Sequence, residues 1–244
     1  MKAVIFSGTT EGRTLSRAVA ALGADVTVCV ATDLGAEEQG CAPGITVRAG
    51  RLDAGEMTAL LQGAALCVDA THPYATEATR NIRAAATAAG VAYHRLLRPA
   101  SDLPAGSVVL ETAAQAAAYL ATKPGNVLLA TGAKELPAFA ALDPARLYPR
   151  VLPTLAGITA CETAGIPHRN IIAMQGPFTL ELNVALLRQF AIAAMVTKDG
   201  GATGGFAEKA EAAARCDVQL IVLRRPEEQG ENAETILQRC RELL

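Results

Sequence analysis

The segment Ser7-Gly8-Thr9-Thr10-Glu11-Gly12-Arg13 follows the apolar run Ala3–Phe6 and precedes a helical pattern with Leu15, Val19 and Leu22 on one face. A strand, a tight Gly/Thr turn and a helix in that order aim backbone N–H groups and the positive end of the helix dipole at one point, where the pyrophosphate of a dinucleotide would sit. Thr9 and Thr10 add hydroxyls. Only Gly8 and Gly12 of a full G-x-G-x-x-G pattern are present, so an ordinary βα turn satisfies the same residues. A second chemical group lies at Lys198 and Asp199, which end the apolar run Ala194–Val196 and lead into Gly200, Gly201, Gly204 and Gly205. Glycines there let a ligand approach the backbone closely. A flexible hinge would show the same glycines but would not require the charge pair. A third is His72, in Ala70-Thr71-His72-Pro73-Tyr74-Ala75 after Leu66–Asp69. The proline after it favours an extended backbone and holds the histidine at a strand tip. A reactive group and a hydrogen-bonded cap are both open readings of it.

The elements that must position these groups are short continuous apolar runs alternating with helical segments. They are Ala3–Phe6, Val26–Val30, Ile45–Val47, Leu66–Asp69 and Ala92–Leu96, then Val127–Ala130, Leu147–Val151, Ile171–Ala173, Ala194–Val196 and Gln219–Leu223. Runs without polar alternation belong to parallel sheets buried on both faces. The pattern predicts an α/β chain of two Rossmann-like parallel-sheet domains, five strands each, facing each other across a cleft. Residues 98–106 gather two prolines and a glycine and serve as linker, giving domains 1–98 and 107–244; Val108–Glu111 is a connecting strand of either one. Ligands of such sheets bind beyond the carboxyl ends of the strands, and the candidate residues fall there.

Composition narrows the function classes. The chain has 244 residues, a net charge of −2 and 51% hydrophobic residues rich in alanine. That charge gives no reason to expect a nucleic-acid partner. The apolar stretch from Val184 to Val196 is broken by Arg188 and Gln189, so no membrane helix is expected, and the N-terminus does not read as a signal peptide. Cys29, Cys41, Cys67, Cys161, Cys216 and Cys240 lack C-x-x-C pairing and read as reduced core thiols of a cytoplasmic protein, with no metal site.

Further strand-end segments are Thr131-Gly132-Ala133-Lys134-Glu135, Arg150-Val151-Leu152-Pro153 and Gln175-Gly176-Pro177-Phe178. Together with Gly8–Gly12, Asp69–Ala75 and Val196–Asp199, their order and spacing over nearly the whole chain resemble the precorrin-6A reductase family of cobalamin biosynthesis. The resemblance implies NADPH as cofactor, a tetrapyrrole (precorrin-6A) as substrate, hydride delivery to one carbon and protonation of its neighbour. It implies a dinucleotide on Gly8, Thr9, Thr10, Glu11 and Gly12, with Thr32 and Asp33 near the adenosine ribose. The substrate's acetates and propionates call for Arg13, Arg80, Lys134 and Arg150, with Gly200 and Gly201 in the loop beside it. His72, Lys198 and Asp199, or a water they hold, are the candidates for the proton. Where the family usually reads Lys-Asp-Ser-Gly, this chain has Gly200 and lacks a hydroxyl.

Two other classes fit parts of the sequence. Tyr119 and Lys123 have the Tyr-x-x-x-Lys spacing of short-chain dehydrogenases, with Ser107 upstream, but Pro124-Gly125 ends the helix at the lysine. A non-catalytic nucleotide-sensing module would use the same Gly/Thr turn, without needing His72 or the Lys198–Gly205 loop.

Overall fold

A computed structural model describes residues 1–97, 101–201 and 204–244. Its apolar runs form two all-parallel sheets. The first unit carries β1 (Lys2–Phe6), α1 (Thr10–Ala21), β2 (Asp25–Val30), α2 (Asp33–Gln39), β3 (Ile45–Ala49), α3 (Ala54–Leu61), β4 (Leu66–Asp69), α4 (Thr76–Ala89) and β5 (Tyr93–Arg95), in the strand order β3-β2-β1-β4-β5. Side chains of β1 and β4 are buried on both sides. Ile5 and Val68 pack with Leu15 and Val19 of α1, and Val4 and Cys67 pack with Leu61 of α3 and Ile82 of α4. Side-chain caps start α1, α2 and α3: Thr9 accepts from the Gly12 N–H, Thr32 from the Gly35 N–H, and Asp53 forms a capping box with Glu56.

The second unit carries β6 (Val108–Leu110), α5 (Ala113–Ala121), β7 (Asn126–Ala130), β8 (Leu147–Val151), α6 (Leu155–Thr163), β9 (Ile172–Ala173), α7 (Leu180–Gln189), β10 (Ile192–Lys198), α8 (Phe206–Arg215) and β11 (Gln219–Leu223). Its six-stranded order is β6-β11-β10-β7-β8-β9. The expected five strands become six because Val108–Leu110 pairs with β11 at the sheet edge. After Thr131-Gly132 the chain forms a 3₁₀ segment, Ala133–Phe139, with Pro137 inside it, a residue that cannot donate to a helical ladder.

The units are Met1–Arg98 with Pro226–Leu244, and Pro99–Arg225. The expected second domain, 107–244, is therefore too long at its end. The last helix, α9 (Ala233–Leu243), returns to the first unit, where Ile236 and Cys240 are fully buried beside Leu15 and Val19. Glu231 also bridges Leu96, extending the first sheet's edge. The cysteines are all reduced, but Cys41 is exposed and Cys216 half-buried, so the reading of all six as core thiols holds for the other four only. Burial lifts the Cys29 thiol to about 11 and the Cys67 thiol to about 12.

Candidate functional site

In each sheet the strand order reverses once, and the candidate residues other than Thr32, after β2, and Arg150, on β8, follow the two strands that flank the reversal. In the first sheet these are β1 and β4. The turn after β1 and the loop after β4 touch: the Thr9 hydroxyl donates to the Ala70 carbonyl at 3.0 Å while it caps Gly12. Gly12 is obligatory, since a Cβ there would lie 2.5 Å from Ser7 Oγ and 2.9 Å from the Ala70 Cβ. Gly8 differs. Its φ is +141°, it is exposed, and nothing lies within 4 Å of where a Cβ would point, so the turn keeps an open face above α1.

A buried ionic network shapes the loop that carries His72. The Asp69 carboxylate, fully buried, accepts from the backbone N–H and hydroxyl of Thr71, from the Tyr93 hydroxyl at 2.9 Å and from Arg95 Nη1 at 3.0 Å. Burial and the Asp69 charge raise the Tyr93 phenol well above its ordinary value. Arg95 Nη1 also donates to the Thr71 carbonyl, and its Nε and Nη2 both donate to Glu228 of the returning chain. His72 itself is half-buried, 5.5 Å from the Tyr74 ring, and its Nδ1 accepts from the Tyr74 N–H. A cavity of about 910 Å³ beside this network is lined by Arg80, Arg83, Tyr93, Arg95, Glu228 and Glu231.

In the second sheet the reversal lies between β7 and β10. Lys198, at the end of β10, bonds Glu135, which follows β7, at 2.6 Å, so an ion pair spans the reversal point. Nearby the Thr131 hydroxyl is buried with no hydrogen-bond partner. Asp199 is 4% exposed; its carboxylate accepts from the Gly201 N–H and the Ser101 N–H, both at 3.0 Å. That fixes the start of the glycine loop. Gly201 has φ +67°, which a residue with a side chain would adopt only under strain.

Two cations are buried on the α7/α8 side of this sheet. Arg150, on β8, donates to Asn183 Oδ1 at 2.8 Å and lies 4.2 Å over the Phe178 ring. Burial lowers it to about 10. Lys209, in α8, donates to the Gly204 carbonyl at 3.1 Å, and burial first, then repulsion from Arg150, lowers it to about 8.

The expected site residues thus separate. Gly8 to Gly12, Arg13, Thr32, His72 and Arg80 belong to the first unit; Lys134, Arg150, Lys198, Asp199, Gly200 and Gly201 belong to the second. Arg13 donates to the Glu38 carbonyl, and the Thr32 hydroxyl is occupied as a cap. Lys134 is exposed beside the Glu135 that holds Lys198. Sequence reasoning missed Lys209 and Arg95. Lys209 had a readable signal: it falls on the buried stripe Phe206, Lys209, Ala210, Ala213 of α8. Among the described residues no group of His, Cys, Asp and Glu is placed to hold a metal ion, and no helix is long and apolar enough to cross a membrane.

The family model described as "Precorrin-6x reductase CbiJ/CobK" matches residues 2–241. A cobalt-precorrin-6A reductase of Priestia megaterium is 36% identical over 230 residues, covering 91% of this chain and 90% of its own. Another of that name from Salmonella typhimurium is 34% identical over 229 residues, 91% of this chain and 87% of its own. A solved structure, "CobK precorrin-6A reductase", superposes with a TM-score of 0.81 at 24% identity, covering 99% of this chain and 97% of its own, and so shares the fold.

Proposed function

The chain belongs to the precorrin-6x reductase family, and on that premise we propose that it reduces precorrin-6A to precorrin-6B with NADPH. Membership itself makes it an oxidoreductase of CH–CH bonds in cobalamin biosynthesis. The observation that carries the finer reading is that four of the family's signature segments, distant in sequence, lie at the two sheet reversals: Gly8–Gly12 and Asp69–Ala75 in the first sheet, Thr131–Glu135 and Val196–Asp199 in the second.

The turn after β1 fits a dinucleotide's phosphates: Gly8 is open, Gly12 lets α1 start against the loop at Ala70, and the helix dipole favours negative charge at this end. Gly8, Thr9, Thr10, Glu11 and Gly12 would hold the cofactor there, with Thr32 further along, and when bound it supplies hydride. The protein's own residues do the rest. Lys198, held by Glu135, and His72, held by its loop, are the groups that keep or move a proton. Asp199 keeps the loop in register through two backbone N–H groups. Arg80, Lys134 and Arg150, with the Arg13 donors not spent on Glu38, meet the acetates and propionates of the macrocycle by charge-assisted hydrogen bonds.

Anaerobic mixing with NADPH and either precorrin-6A or its cobalt form tests the reading. The expected result is loss of reduced-nicotinamide absorbance in step with a change in the tetrapyrrole spectrum. Nicotinamide that stays reduced with both substrates overturns it.

A further inference from the structure

We propose that Arg150 and Lys209 form a two-cation clamp in the second unit that grips one anionic group, a carboxylate or a phosphate, of the bound ligand. Both side chains belong to residues only 8% exposed. Each spends its hydrogen bonds on neutral groups, Arg150 on the Asn183 amide and Lys209 on the Gly204 carbonyl. Among the described residues neither has an ion pair. The two are tied into one wall. Arg150 lies over Phe178, the Phe178 carbonyl and Pro177 pack against Gly205, and Gly205 starts the helix that carries Lys209.

The acids nearby, Glu208 and Asp199, offset part of the Lys209 lowering from a distance but form no ion pair with it. Asp199 is bound by the N–H groups of Gly201 and Ser101, and Glu208 Oε2 is buried beside Gly205 with no donor. Two cations buried side by side without contact counter-charge destabilise the ligand-free fold. An anion between them converts that cost into affinity, through two charge-assisted bonds and relief of their mutual repulsion.

The identity of the ligand rests on the reductase reading; the clamp itself does not. Calorimetric titration with precorrin-6A and, separately, with NADP⁺ reads the clamp in wild type, Lys209→Met, Lys209→Arg and Arg150→Met. Each Met variant is expected to lose roughly tenfold or more for one titrant and not the other. Loss toward precorrin-6A assigns a carboxylate, and loss toward NADP⁺ a phosphate. Lys209→Arg is expected to keep the affinity. Wild-type affinity should fall as pH rises through about 8, where Lys209 loses its proton, with Arg150, Asp199 and Glu208 as the charges facing it; in Lys209→Arg that fall should vanish from this range. Ligand-free Lys209→Met should melt higher than wild type, which separates a functional cation from a structural tether. If wild type binds neither titrant, the reductase reading fails, and protection against heat by inorganic pyrophosphate or citrate, lost in Lys209→Met, still reports the clamp. Met variants that bind both titrants like wild type, with equal protection by these anions, overturn it.

Discussion

Arg95 and Arg150 are both buried arginines on strands of parallel sheets, and they are surrounded in opposite ways. Arg95 is closed: its guanidinium serves the Asp69 and Glu228 carboxylates and the Thr71 carbonyl. Arg150 is open: one amide and one aromatic face hold it, and Lys209 repels it. A buried cation with its carboxylates in place shapes backbone, here the loop of His72. A buried cation with neutral partners is costly to the resting fold, and that cost is sensible only where an anion arrives from outside.

The largest test of this contrast is to remove each guanidinium. Arg95→Met strands two carboxylates in the first unit and should cost about 3–5 kcal/mol in urea denaturation. Arg150→Met should be near neutral or stabilising, and equal losses at both positions would erase the distinction. The next effect is linked to pH. The Lys209 amine, lowered from 10.5 to about 8, is held in the fold against its preferred charge. At pH below about 8 both folded and unfolded chains bind the proton and the full penalty is present. Between about 8 and 10.5 the unfolded chain binds more protons, so stability should rise with pH, in total by on the order of 3 kcal/mol, relative to Lys209→Met. Denaturation of both proteins across that range checks it.

Smaller effects probe the reversal point of the second sheet. Glu135→Gln removes the partner of a half-exposed pair and should shift stability by only about 1 kcal/mol. If Lys198 moves the proton, kcat should fall roughly tenfold or more while NADPH affinity holds. The smallest change is Gly200→Ser. Its Cβ would lie 3.3 Å from the Gly204 Cα, a tight contact that a shift of a few tenths of an ångström relieves, so stability should change by less than about 1 kcal/mol. Single-turnover hydride transfer should be faster if a hydroxyl at that position reaches the ligand, and equal rates would make the loop there a passive support.

Much of the fold was legible in the sequence because parallel strands buried on both faces leave runs with no alternation, as at Ala3–Phe6 and Leu66–Asp69. Val108–Leu110 stayed ambiguous because three apolar residues at an edge carry too little pattern to choose a sheet. The homing of α9 on the first unit was not legible. Its stripe of Ile236 and Cys240 states that it packs, not on what, and proximity in sequence favoured the wrong partner. In the site, strand-end glycines and charges announced Gly8–Gly12 and Lys198–Asp199. Arg95 was hidden within a strand, and its role depends on Glu228, 133 residues away. Lys209 was visible as a charge on an apolar helix face but looked like an ordinary member of an Ala-rich helix until its burial was known.

The return of residues 226–244 to the first unit sets the order in which this protein becomes whole as it is made. A nascent chain that has emerged through Leu97 has its five strands, but the core cluster around Leu15 and Val19 lacks the part that Ile236 and Cys240 supply until they arrive. The second unit, Pro99–Arg225, has all of its sequence before the first has its last helix. The part synthesised first is therefore finished last.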